Sequence, residues 1–188
     1  MRGRGSWLLV VAVACVVVVA AQASGKTRGQ TGSGVPCGTA GLGAQLAVAG
    51  GTSYTVGDGK WKAVSWSTKA GANGGQMALV VYRPQNGSGN SYRVVVASDV
   101  GTLDPNRTNT FKLTGGNHRW DVKHGDVIGF WCSADTDAAF TTGSGGDSFS
   151  FQSYASVPSA GPSVGDLVTL SPSSTGRRAD VSVTLKSR

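Results

Sequence analysis

Two histidines flank an aspartate in Asn117-His118-Arg119-Trp120-Asp121-Val122-Lys123-His124-Gly125-Asp126, a stretch whose residue types invite a metal or acid–base reading. The His-x2-Asp-x2-His spacing converges on a metal only if the segment bends. On a straight strand residues 118 and 124 share one face and Asp121 takes the other, so exposed turn histidines and no metal centre are expected. Asp135-Thr136-Asp137 and Gly145-Gly146-Asp147 are acidic clusters of the kind that offers oxygens to Ca²⁺. That ion takes about six to eight of them, and neither cluster has the glycine and closing glutamate of an EF-hand loop. Solvated turns are the expected reading, with calcium binding at Asp135, Asp137 and Asp147 left open. Neither histidine has a Ser or Asp partner at a recognisable motif spacing. All 10 acidic residues are aspartates, so a paired-carboxylate glycosidase would have to work without glutamate. These absences point to a non-enzyme that needs no cofactor.

Aromatic side chains offer binding instead. Trp61 and Trp66 are five residues apart on one expected strand, so they should point to opposite faces, one into the core and the other toward solvent. Trp120, beside Arg119 in a polar, turn-like segment, is the third candidate; exposed rings next to hydrogen-bonding side chains are a common way for sandwich modules to hold sugars or partner proteins. The competing reading places all three tryptophans in the core or over an edge. Trp61, Trp66, Trp120 and Arg119 are therefore the candidate ligand-binding residues.

Arg2 and Arg4, followed by an apolar run from Trp7 to Ala21 and then Ala21-Gln22-Ala23, have the form of a signal peptide cleaved after Ala23. The run is shorter than the roughly 20 residues that cross a bilayer, so no membrane span is expected after cleavage. The division expected is a signal peptide at 1–23, a flexible Gly- and hydroxyl-rich lead-in at 24–36, and one secreted domain at 37–188. The formal charge of +7 rests on 17 basic residues, and removing Arg2 and Arg4 would lower it by two. No Lys/Arg block of the nucleic-acid type is present. Weak attraction to an acidic polysaccharide or a cell surface is allowed, and nucleic acid is not an expected partner. Outside the leader only Cys37 and Cys132 remain, and in an exported protein two cysteines usually pair. Closing a loop of roughly 95 residues has a chain-entropy value of about 4–5 kcal/mol, an upper figure. Asn86-Gly87-Ser88 and Asn106-Arg107-Thr108 are sequons in turn-like segments, usable if the host glycosylates.

The elements that must position these residues read as strands. Short β-branched or aromatic runs alternate with Gly, Asn, Asp, Ser and Pro clusters, the pattern of an all-β protein and here of an antiparallel, jelly-roll-like β-sandwich of about ten short strands. Strands are expected near 42–49, 53–56, 60–68, 76–83, 91–98, 108–114, 126–132, 137–142, 148–154, 166–170 and 179–186. Alternation places Phe111 and Leu113 inward, Val181, Val183 and Leu185 inward opposite Asp180, Ser182 and Thr184, and Tyr92, Val94 and Val96 on one face. Met77–Tyr82 and Val127–Cys132 are apolar on both faces and should be central strands of a sheet covered on both sides.

The order Trp61…Trp66-Ser67-Thr68, Leu79-Val80-Val81-Tyr82-Arg83-Pro84, Tyr92-Arg93-Val94-Val95 and Gly125-Asp126-Val127-Ile128-Gly129-Phe130 resembles a family of secreted β-sandwich modules, found as single-domain exported proteins of actinobacteria and, similarly patterned, in animal ectodomains. The resemblance implies a sandwich and an extracellular location, and it carries over no catalytic residue. Physically, Pro84 should end a strand and Gly125-Asp126 should form the turn that launches a buried one. The expected function is a non-enzymatic extracellular binding module for a glycan or protein surface. A secreted polysaccharide hydrolase or lyase using aspartates, and a structural wall or matrix component, are the alternatives.

Overall fold

Runs of β-branched and aromatic residues gain most when both backbone and side chains are satisfied in a ladder, and the chain forms strands almost wherever such runs occur. The computed structural model describes residues 25–32, 34–85, 89–115, 119–153 and 161–188. The leader at 1–23, the Asn86 sequon and His118 lie outside the described residues. In chain order the strands are β1 (Lys26–Gln30), β2 (Gly41–Ala47), β3 (Trp61–Lys69), β4 (Gly75–Pro84), β5 (Ser91–Ala97), β6 (Gly101–Leu103), β7 (Thr108–Lys112), β8 (Asp121–Val122), β9 (Val127–Cys132), β10 (Phe140–Thr142), β11 (Ser148–Ser153), β12 (Leu167–Thr169), β13 (Ser174–Thr175), β14 (Arg177–Ala179) and β15 (Val181–Ser187). The described residues contain no helix, and none therefore that is long and apolar enough to cross a membrane.

Two antiparallel sheets carry the fold. The smaller runs β1-β15-β3-β7 with β8 beside β3; the larger runs β12-β5-β4-β9-β2-β11-β13 with β6 on β4, and β10 pairs with β14. The all-β sandwich is as expected, with 15 strands among the described residues rather than about ten; the additional ones are mostly two- or three-residue ladders at the edges.

The main core lies between the sheets. Trp66, Val181 and Val183 come from one side, and Met77, Leu79, Ile128 and Phe130 from the other, all nearly or fully buried. The central strands β4 and β9 are indeed covered twice. Ala78, Val80, Tyr82, Val127 and Trp131 turn to the outer face, where Val168 and Leu170 of the segment after residue 161 pack over them. The β2–β9 approach is tight enough that a Cβ on Gly43 would lie 2.3 Å from the Phe130 ring. Cys37 and Cys132 form a disulfide, with Cα atoms 6.6 Å apart, that ties the early chain to β9. Phe111 and Leu113 pack against the main core, as their alternation predicts.

Three expectations need correction. The lead-in at 24–36 is not simply flexible: Lys26–Gln30 pairs along β15 as an edge strand. Its glycine serves contact, because a Cβ on Gly29, at φ 78°, would lie 2.1 Å from the Val181 carbonyl oxygen. In β5 the pairs Val81–Val96 and Tyr82–Val94 leave Val95 as an extra residue. This bulge splits the supposed common face, sending Val96 to the main core and Val94 to the outer cluster. Asp180, read as outward-facing, is fully buried where β14 hands over to β15.

Candidate functional site

A second bulge decides the tryptophans. Strand β3 pairs with β15 through Ser65–Thr184 and then Ala63–Leu185, so Val64 is the extra residue. Its carbonyl is not lost, because it accepts the Leu113 N–H at 2.9 Å. One added residue reverses the inward–outward parity. Trp61, Ala63, Trp66 and Thr68 consequently all face inward, and the expectation of one exposed tryptophan on this strand is overturned. Trp66 is 1% exposed and stacks on Phe111 with ring centroids 4.5 Å apart. Trp120 is also 1% exposed, and its indole N–H has no hydrogen-bond partner among the described residues. Arg119 is the solvent-facing member of that pair, with its guanidinium 4.6 Å from the Trp120 ring centre and 3.2 Å from Asp99.

Trp61 alone keeps an opening, at 8% exposure. Its indole N–H donates to the Asp58 carbonyl at 2.8 Å, and Lys26 of β1 holds its ammonium 4.9 Å from the ring centre. Beside its uncovered edge is a hollow of about 580 Å³ lined by Gly59, Lys60, Asp121, Val122, Lys123, His124 and Arg188. Pairing of Trp61 with Val122 and Lys62 with Asp121 brings β8 alongside β3 and closes one wall. Asp121 is held by Arg188, and His124 lies 3.1 Å from Asp58. Lys60 and Lys123 are exposed and form no ion pair among the described residues. The hollow thus offers an apolar floor of Trp61 edge and Val122 under a cationic rim.

The acidic residues go elsewhere. Asp147 is fully buried, receives the Arg178 guanidinium on both oxygens at 2.7 and 3.1 Å, and accepts the Ala49 and Ser144 N–H groups. The Arg178 bond is the largest influence holding its carboxyl down at about 2. Asp135 accepts from Ser133, and Asp137 is nearly buried against the 71–74 turn. No three or more His, Cys, Asp or Glu converge as metal ligands among the described residues. Asn106 sits in an exposed turn with φ 59°.

Sequence reasoning missed two carboxylates. Asp126, 1% exposed, takes both prongs of Arg83 at 2.8 Å and the Lys123 N–H at 2.8 Å. The Arg83-Pro84 and Gly125-Asp126 marks therefore meet in space and lock the end of β4 to the turn before β9. Asp180 accepts the Gly32 N–H at 2.8 Å. Burial pushes its carboxyl up to about 7, although backbone donors at Gly32 and Lys69 pull the other way. The same burial raises the Tyr54 phenol, whose hydroxyl donates to the Ala179 carbonyl. An aspartate directly before an alternating strand gives no hint of such burial. Compared with known proteins, the chain matches no family model, no curated protein and no solved structure.

Proposed function

We propose that this protein is an exported, non-enzymatic binding module that holds a glycan in the hollow beside Trp61. The observation that carries this reading is the meeting, at one surface, of a partly open tryptophan edge with two cations that form no ion pair, Lys60 and Lys123. Sugars present apolar ring faces and hydroxyls together, and an indole edge flanked by donors complements both. The Cys37–Cys132 disulfide fits an oxidising compartment, and the apolar leader and the resemblance to secreted sandwich modules support the same location. A polysaccharide hydrolase built on paired carboxylates would need a general acid with a raised pKa that substrate can reach. Asp180 has the first property but is sealed inside the sandwich.

Affinity and product release measured together on a panel of neutral and acidic oligosaccharides test the reading. Binding without new reducing ends is expected, weakened about twofold to fivefold by Lys60→Gln or Lys123→Gln, the scale of one exposed charge contact. Product release that disappears on changing a single aspartate would favour the enzyme alternative.

A further inference from the structure

The Trp61 hollow is not isolated. A second hollow of about 330 Å³ is lined by Arg83, Arg93, Val94, Val95, Val164 and Gly165, and it shares Asp121 and Lys123 with the first. The two therefore meet across β8, one beside β3 and the C-terminus, the other over β5 and the segment after residue 161. Val164 is 57% exposed, an apolar side chain held at the far wall. Five cations line the pair, Lys60, Arg83, Arg93, Lys123 and Arg188. Arg83 and Arg188 are engaged by Asp126 and Asp121. Lys60, Lys123 and Arg93 remain, spread from one hollow to the other; Arg93 donates one N–H to the Gly165 carbonyl at 3.0 Å and is otherwise solvent-facing.

Resting on the glycan reading above, we infer that the two hollows form one extended subsite for an acidic polysaccharide carrying about one carboxylate per sugar, a polyuronate. Charge density selects this occupant. Duplex DNA carries a charge about every 1.7 Å of its axis and rewards many phosphate contacts, whereas the two hollows offer three cations without an ion pair among the described residues, Lys60, Lys123 and Arg93. The apolar patches beside them, the Trp61 edge and Val122 on one side and Val95 and Val164 on the other, suit sugar rings. The indole faces that base stacking would use are buried or covered.

The experiment compares trigalacturonate with long-chain polygalacturonate on the full chain and on Lys60→Gln, Arg93→Gln and Arg93→Lys, with uncharged dextran, dextran sulfate and duplex DNA as rival ligands. The polymer should bind more tightly than the trimer and lose affinity as NaCl rises. Arg93→Gln should weaken polymer about threefold to tenfold while sparing the trimer, and Arg93→Lys should recover most of that loss. Lys60→Gln should weaken both. Polymer binding that depends on Lys60 but is indifferent to Arg93 would overturn the extended subsite and leave the Trp61 hollow standing as a glycan site. Failure of every glycan to bind would remove both readings. Tighter binding to dextran sulfate or DNA than to polygalacturonate would overturn the polyuronate assignment.

Discussion

Asp180 and Asp147 are both buried, yet they answer pH in opposite directions. Asp180 is neutral more readily in the folded chain than in the unfolded one, its carboxyl raised from 3.8 to about 7. The native state therefore binds the extra proton between those values, and this contribution falls as pH climbs from about 4 to about 7. The linked stability is up to roughly 4 kcal/mol. Lys69 and the Gly32 N–H are the groups that temper it. Urea denaturation across that range should show the decline, and Asp180→Asn should flatten it; equal slopes in the two proteins would refute the assignment. Asp147 is held at about 2 by Arg178, so its contribution is fully present above the unfolded carboxylate range and disappears as pH drops toward 2. Asp147→Asn strands a guanidinium that is 14% exposed. The expected cost is about 2–3 kcal/mol at pH 7, below that of a fully sealed pair because Arg178 retains some solvent contact.

At the scale of the element, bulges govern which side chains reach the site. Deleting Val64 would remove the extra residue and leave Trp61, Ala63, Trp66 and Thr68 in simple alternation, all still facing inward, at the loss of the bond from the Leu113 N–H to the Val64 carbonyl. Losing that bond should cost about 0.5–1.5 kcal/mol, visible as a small drop in the urea midpoint; a drop of about 3–5 kcal/mol, the scale of exposing a buried aromatic, would refute the bulge. Gly29→Ala should act locally, because the new Cβ meets the Val181 carbonyl; faster amide exchange along β1 and β15 with little change at β4 and β9 is expected. These same features explain what the sequence disclosed. Strands β4, β9, β7 and β15 were legible because burial on one or two faces writes itself into residue type. The Val64 and Val95 bulges were not, since an extra residue leaves the composition of a strand unchanged while reversing its parity. Strand β1 was hidden because a glycine that permits close approach looks like a glycine that permits flexibility. Of the candidate site, Trp61 was legible as a residue, but its neighbours Lys123, His124 and Arg188 come from a turn and from the chain's end that only the β3–β8 and β3–β15 pairings bring near.

Across the whole molecule, two sheets enclose a tryptophan-rich core, the segment after residue 161 seals the outer face, and the Cys37–Cys132 bond spans a separation of 95 residues. Cys37→Ala should lower stability by up to about 4–5 kcal/mol, with reduction of the parent protein producing a similar loss. The proposed binding surface is the one this architecture leaves open, where β1, β3, β8 and the C-terminus converge beside Trp61. Titrating trigalacturonate into ¹⁵N-labelled protein, while monitoring the sugar for cleavage, tests that claim most directly. The account predicts shifts concentrated at Gly59, Lys60, the Trp61 indole N–H, Asp121–His124 and Arg188, with the sugar recovered intact. Shifts confined to another face of the sandwich, or release of shorter sugars, would contradict it.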